Sequence, residues 1–277
     1  MRHMSGMARS RFIRRATRHD GVRFAARMGY GVSAVLHLLI GYLILRIARG
    51  AGGNAHADPS GALETVAETT GGVVALWILA VAIVPLALWR LAEALVGLHP
   101  AEGHQPRLND HSPGNRLKAL GLLCVYCGLA ATAVRFALGS RESSGQQNAG
   151  ITARLMQQPW GRGALIVCGA TIAVIGAYYA YKGASRRFLA DLTDPVGPVI
   201  TVLGFIGYVA EGLVLCVAGV LVIVAAVDVD PSKATGIDAA VKTLGSTPPG
   251  AFLLLFAAAG FAAYGLYSVT LTRYARM

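Results

Sequence analysis

Six apolar stretches, at about 29–47, 72–97, 118–137, 163–183, 199–227 and 250–270, constrain this 277-residue chain more than any single residue does. Each is close to or above about 20 residues, enough for a helix rising 1.5 Å per residue to cross a ~30 Å hydrocarbon layer. Lipid offers no water to backbone N–H and C=O groups, so a run of this kind satisfies them internally, as a helix. The expected fold class is all-α, a polytopic membrane bundle of six transmembrane helices. Only 14% of residues are charged, against about 25% in a soluble domain. Six spans use most of the length, which disfavours chemistry in an attached aqueous domain.

The formal charge of +11 is unevenly placed, with eight arginines in the first 27 residues. With the N-terminus inside, about two-thirds of the 25 lysines and arginines fall on the inner side. That bias predicts cytoplasmic N- and C-termini in the plasma (inner) membrane. It also makes anionic inner-leaflet lipid the natural partner of the basic tail, and no nucleic-acid partner is needed to explain it. Ala55-His56-Ala57 resembles a signal-peptidase site. The preceding apolar run and the polar tail before it are both too long for a signal peptide.

The spans repeat. Gly29-Tyr30 and Gly41 of the first recur as Gly207-Tyr208 and Gly219 of the fifth, 178 residues on, with Gly121-Leu122 a weaker echo in the third. On the even spans, Ile175 to Tyr181 aligns with Phe261 to Tyr267, and Arg187 with Arg273. A half-amphipathic stretch precedes each even span, beginning at Gly61, Ile151 and Ile237; the last two run into Gln158-Pro159-Trp160-Gly161 and Thr247-Pro248-Pro249-Gly250. Proline and glycine there suit a turn that restarts a helix. The unit is thus helix, outer loop with a short interfacial helix, helix, three times over around a pseudo-threefold axis. The expected division is a basic tail (1–22), repeat 1 (23–97), a loop (98–115), repeat 2 (116–187), a loop (188–198) and repeat 3 (199–277).

The Gly-Tyr-x10-Gly odd spans, the loop helices ending in Gln-Pro-x-Gly, and the tyrosine-bearing even spans with the Arg-Tyr-Ala-Arg tail carry a resemblance. Together they resemble an actinobacterial membrane-protein family catalogued as a three-repeat domain of unknown function, over about residues 23–276. The resemblance implies six helices and three repeats, and no activity. Glu211 departs from the expected pattern, where a basic or neutral residue would stand.

Two charged or titratable residues reach neither end of a span. Glu211 lies 17 residues from both Asp194 and Asp228, and His37 is central between Arg27 and Arg46. Polar groups at that depth are expensive, so they are the first candidates for function. Under the 178-residue offset Glu211 corresponds to Ser33, one helical turn from His37, so His37, Ser33 and Glu211 form the candidate midplane site. Facing one another, a carboxyl and an imidazole can relay a proton. Tyr126, Thr171 and Tyr264 are further polar groups at midplane depth. Arg90 and Glu93, three apart on one helix face, are expected to pair near the inner surface.

Other motifs are weak. Cys124 and Cys127 form C-x-x-C within a span, where thiolate is not stabilised; with Cys168 and Cys216 they read as reduced, buried small hydrophobes. His37 alone lies within a span, so bis-histidine haem is disfavoured. His99, His104 and His111, with Glu102 and Asp110, fit no standard metal spacing, and no nucleotide-binding or hydrolase fingerprint occurs. No metal, cofactor or enzymatic activity is therefore expected. The sequence favours a non-enzymatic accessory or scaffold subunit, with a membrane-protein partner or a second copy. The alternative is a small-solute or proton-coupled transporter using His37 and Glu211.

Overall fold

The computed structural model describes residues 20–50, 56–96, 113–140, 144–193 and 196–275. Nine α-helices lie within them: α1 (Asp20–Ala48), α2 (Pro59–Ala67), α3 (Gly72–Val96), α4 (Pro113–Ala137), α5 (Ser144–Met156), α6 (Gly161–Ala184), α7 (Pro198–Asp228), α8 (Ile237–Gly245) and α9 (Gly250–Tyr274). Two 3-10 turns, Arg187–Asp191 and Pro231–Ala234, complete the set. Among the described residues extended pairing is limited to one isolated bridge, Leu192 with Ala275.

The all-helical expectation holds. Helices α1, α4, α6, α7 and α9 carry stretches long and apolar enough to cross a membrane. Helix α3 is 25 residues long and runs unbroken through Pro85, but its apolar stretch, Gly72–Leu88, is shorter than the other five. The surface between the helix ends is apolar, with Val35, Ile78, Val125, Val174, Val202 and Phe252 exposed. That composition suits contact with lipid tails.

Each repeat is built as a long helix, a short helix and a second long helix. The second long helices begin at Gly72, Gly161 and Gly250, 89 residues apart. Each of these glycines donates its N–H to the carbonyl three residues back, on Thr69, Gln158 and Thr247, at 2.8–3.0 Å. A Cβ on any of them would collide with a carbonyl in the last turn of the short helix, on Val66, Leu155 and Gly245 respectively. The same hairpin is thus made three times, and in each case only glycine lets the chain fold back tightly enough.

The helices pair across repeats. The most extensive contacts join α3 to α4, α6 to α7, and α9 to α1, the second long helix of one repeat against the first of the next in cyclic order. Two of these interfaces match residue for residue. Gly169 and Gly176 of α6 lie against Gly219 and Gly212 of α7, and a Cβ on Gly169 would stand 2.7 Å from the Gly219 carbonyl. In the equivalent pair, Gly41 of α1 lies against Ala258 and Ala262 of α9, and Gly265 against Ala34 and Leu38. These contacts correct the sequence alignment of the even helices. Gly176 matches Gly265, an offset of 89, rather than Ile175 matching Phe261. Tyrosines three residues apart occur in both helices, and pairing the wrong ones shifts the register by nearly one helical turn.

Contacts within a repeat are unequal: α7 and α9 pack closely, α1 and α3 touch lightly, and α4 and α6 scarcely meet. We call the end carrying α2, α5 and α8 the short-helix end, and the opposite one, where α9 finishes beside the 187–191 turn, the terminal end. Three cysteines depart from expectation. Cys124, Cys127 and Cys168 are exposed on the apolar surface, and only Cys216 is partly buried, its thiol donating to the Ala173 carbonyl at 3.4 Å. The loop holding His99, Glu102, His104, Asp110 and His111, most of the N-terminal tail, and the Glu93 side chain lie outside the described residues.

Candidate functional site

The 178-residue offset places Ser33 and Glu211 at equivalent positions on α1 and α7, with His37 one turn along α1. The structure brings the three together. His37 Nε2 is 3.3 Å from Glu211 Oε1, its Nδ1 is 2.7 Å from the Ser33 carbonyl oxygen, and the Ser33 hydroxyl lies 3.3 Å from the same nitrogen. Both side chains are largely buried, 17% and 15% exposed. Glu211 sits 13 residues into α7, about 20 Å along the helix from its start.

These contacts settle the tautomer. A carbonyl oxygen only accepts, so Nδ1 carries a hydrogen and donates to Ser33. Nε2 and Oε1 then need one proton between them. It sits on the carboxyl, leaving both groups neutral, or on the ring, making an ion pair. The pair has zero net charge either way. Withdrawing that proton sets two lone pairs against each other and leaves a negative charge in a poorly solvated place. The second carboxyl oxygen, Oε2, is buried and has no hydrogen-bond partner among the described residues.

Helix α9 closes the site. Its Phe261 ring stacks on His37 at 5.8 Å, and Tyr264 lies against the other part of the imidazole at 4.7 Å. Toward the terminal end the aromatic packing continues: Tyr264 meets Tyr208 of α7 at 5.1 Å, and Tyr208 meets Tyr179 of α6 at 5.6 Å and Phe188 at 5.5 Å. Tyr267 donates to the Phe188 carbonyl at 3.5 Å. Lys182 of α6 sits 5.2 Å from the Tyr208 ring centroid and pairs with Asp191 at 2.6 Å. Of the other polar groups at midplane depth, Thr171 donates to the Val167 carbonyl within its own helix and faces outward. Arg90 is partly buried on α3; its pairing with Glu93 falls outside the described side chains.

At the short-helix end a second polar cluster ties repeat 3 to repeat 1. Asp238 of α8 is 3% exposed. Its Oδ1 accepts the Ala57 N–H at 2.9 Å, while Oδ2 lies 2.7 Å from Lys242 Nζ and 3.4 Å from His56 Nδ1. Asp58 caps α2, accepting from the Gly61 N–H at 2.9 Å. Among the described residues no group of three or more His, Cys, Asp or Glu is placed to hold a metal.

Three segments of the chain, residues 28–97, 120–186 and 206–275, match the family described as Domain of Unknown Function (DUF1206). The chain belongs to this family. Ser33 and His37 fall in the first matched segment, Tyr179 and Lys182 in the second, and Tyr208, Glu211 and Tyr264 in the third. Phe188 and Asp191 lie between matched segments. A protein of Bacillus subtilis (strain 168), described as "Uncharacterized protein YxxB", is 26% identical over 248 residues, covering 88% of this chain and 87% of that one. No solved structure matches. The resemblance read from the sequence is therefore met in its three-repeat part, while an actinobacterial source is not part of the match.

Sequence reasoning missed the tyrosine packing below the site and the Asp238 cluster. Tyr208 was visible as half of a repeated Gly-Tyr pair, and Tyr264 as a midplane polar group. Lys182 and Asp191 are nine residues apart across a helix end, a spacing that carries no pairing signal. His56 stood inside an apparent cleavage motif, and its partner lies 182 residues away.

Proposed function

We propose that this chain is a proton-coupled membrane transporter of a small solute, in which His37 and Glu211 share one exchangeable proton. The observation carrying this is the commitment of His37 Nδ1 to the Ser33 carbonyl, which leaves a single proton between Nε2 and Oε1. Unloading that proton leaves a buried negative charge, and a cationic or hydrogen-bond-donating solute at Glu211 Oε2 would neutralise it. Proton release and solute binding would then favour each other, which is the coupling a proton-driven carrier needs. The reading assigns the chain no covalent chemistry. The arginine bias supports placing the terminal end in the cytoplasm of the plasma membrane, beside anionic lipid.

The test is a solute screen on purified protein in vesicles, read as charge movement under an imposed pH difference. A solute that moves with protons in the native protein, is lost in Glu211→Gln and is retained at reduced rate in Glu211→Asp supports the reading. Identical behaviour of native and Glu211→Gln vesicles across small cations, amines and neutral donors sinks it.

An accessory role is the second reading, and it draws on a separate observation. Helices α4 and α6 scarcely meet, and among the described residues Gly121, Gly128 and Gly163 on them have no neighbour that a Cβ would touch. Small residues on open helix faces suit close approach by a partner helix, from another protein or a second copy. Co-purification of a stoichiometric partner after mild extraction, lost when Gly121 and Gly128 are replaced by leucine, would favour it.

A further inference from the structure

We propose that, in this conformation, the His37–Glu211 site exchanges its proton with the terminal end alone, through Tyr264, Tyr208 and the Lys182–Asp191 pair. The proposal rests on the shared-proton reading above and adds its direction of access.

The two halves of the bundle differ in kind on either side of the site. Toward the short-helix end, the three helices that form it contribute Ile40 and Ile44 from α1, Val214 and Ala218 from α7, and Leu254 and Ala258 from α9, all buried in one apolar cluster. The next charged side chain on α1 in that direction is Arg46, nine residues from His37, about 13 Å along the helix. These six side chains neither accept nor donate a proton, and the Cys216 thiol beside them is turned to the Ala173 carbonyl of α6. Phe261, stacked on His37, forms the floor of this layer.

Toward the terminal end, every element facing the site supplies a group with an exchangeable proton. Helix α9 gives Tyr264 and Tyr267, α7 gives Tyr208, α6 gives Tyr179 and Lys182, α1 gives Tyr30, and the 187–191 turn gives Asp191. Tyr264 packs against His37 at 4.7 Å and edge-on against Tyr208 at 5.1 Å, and Lys182 sits over the Tyr208 ring at 5.2 Å. The route ends in water, because the Asp191 side chain is 46% exposed.

The relay balances as a chain of hops. Lys182 and Asp191 are in direct contact at 2.6 Å, and the earlier hops need bridging water. The Glu211 proton passes to a water beside the Tyr264 hydroxyl, and each water and hydroxyl in turn hands one proton on past Tyr208 to the Lys182 ammonium. Lys182 yields one to Asp191, and Asp191 releases one to bulk water. One proton leaves the site, one enters solution, and no group is oxidised or reduced.

The experiment uses the full chain in oriented, solute-free vesicles, with membrane-impermeant buffers holding the two compartments at different pH. Infrared absorption of the protonated Glu211 carboxyl, assigned by its loss in Glu211→Gln, is the readout. We expect the band to follow the pH of the compartment facing the terminal end and to ignore the other. After a pH step on that side, Tyr208→Phe and Tyr264→Phe should each slow the response at least 10-fold and leave the equilibrium midpoint unchanged. Phenylalanine keeps the ring packing, so a merely structural role for these tyrosines predicts unchanged rates or a shifted midpoint. A band that follows the short-helix end, or native rates in both phenylalanine variants, overturns the route while leaving the shared proton standing. If neither the Glu211 carboxyl band nor the His37 ring modes respond to the pH of either compartment, the shared proton falls and the route with it.

Discussion

The contact between α6 and α7 allows a quantitative test of what holds this bundle together. Between helices in lipid the hydrophobic effect offers little, and close van der Waals packing carries much of the association. A Cβ added to Gly176 would stand 2.6 Å from the Cys216 nitrogen and 2.7 Å from the Gly212 carbonyl oxygen. Ordinary contact begins near 3.4 Å, so Gly176→Ala must push the helices apart locally by about 0.8 Å. A gap of about 0.5–1 Å forfeits roughly a quarter to a half of each atom pair's ~0.1–0.2 kcal/mol attraction. Over some tens of atom pairs along the shared glycine face, the loss comes to about 1–3 kcal/mol, the usual cost of overpacking. Alanine's better helix propensity offsets up to about 1 kcal/mol of this. Gly163→Ala in the same helix supplies the control, since its Cβ would meet nothing within 4 Å. The difference between the two variants isolates the packing cost. Thermal unfolding in mild detergent should place Gly176→Ala about 2–12 °C below Gly163→Ala, at about 2–4 °C per kcal/mol. Gly212→Ala opens the same interface against Ala180, so the double variant should cost less than the two singles together. Equal midpoints for Gly176→Ala and Gly163→Ala would refute the close-packing argument.

Three further outcomes are expected. Asp238→Ala should destabilise by about 2–3 kcal/mol in denaturant unfolding, because it orphans the buried Ala57 N–H; Lys242→Ala, which removes only the half-exposed partner, should cost about 0.5 kcal/mol or less. Val229 ends α7 with φ of 56°, a conformation that β-branched side chains resist, so Val229→Gly should raise stability by about 0.5–1 kcal/mol in the same assay. Hydrogen bonds from the Ser232 hydroxyl and N–H hold the Asp230 carboxyl below its ordinary range. With a lowered folded pKa, the cap it forms on the Pro231–Ala234 turn is complete above the ordinary carboxylate range and is lost only as pH falls through the depressed value. Carboxyl-carbon NMR titration should find the Asp230 midpoint moving upward in Ser232→Ala, and no movement would contradict the assignment.

How much of this was legible beforehand depends on the physical kind of signal. Long apolar runs announce helices because lipid leaves no other way to satisfy the backbone, and the odd helices announce their equivalence because Gly29, Tyr30 and Gly41 recur together at one spacing. His37 and Glu211 stood out because midplane polarity is costly, and the offset of 178 put them one turn apart. The even helices were misaligned by three residues because tyrosines at helical spacing recur locally, whereas the glycines that fix the register do so through carbonyls on another helix. The exposed positions of Cys124, Cys127 and Cys168 were missed for a related reason. Which face of an all-apolar helix meets protein rather than lipid is not written in its hydrophobicity. The Lys182–Asp191 and His56–Asp238 contacts join residues whose separation in the chain carries no periodic signature.

The cyclic pairing of helices bears on the order in which the molecule can assemble. If spans enter the membrane in chain order, α3 finds its partner as soon as α4 arrives, and α6 as soon as α7 does. Helix α1 waits for α9, which follows the other described long helices in the chain. Until then Ala34, Leu38 and Gly41, which α9 will cover, face lipid or a temporary companion. His37 and Glu211 can meet only once α7, which opens the third repeat, has been made, and the stacking of Phe261 and Tyr264 on His37 waits for α9. The polar centre therefore matures after the α3–α4 and α6–α7 pairs have formed. A chain rearranged to begin within the 98–112 loop, with its original ends joined, would make α9 and α1 neighbours in time as well as in space.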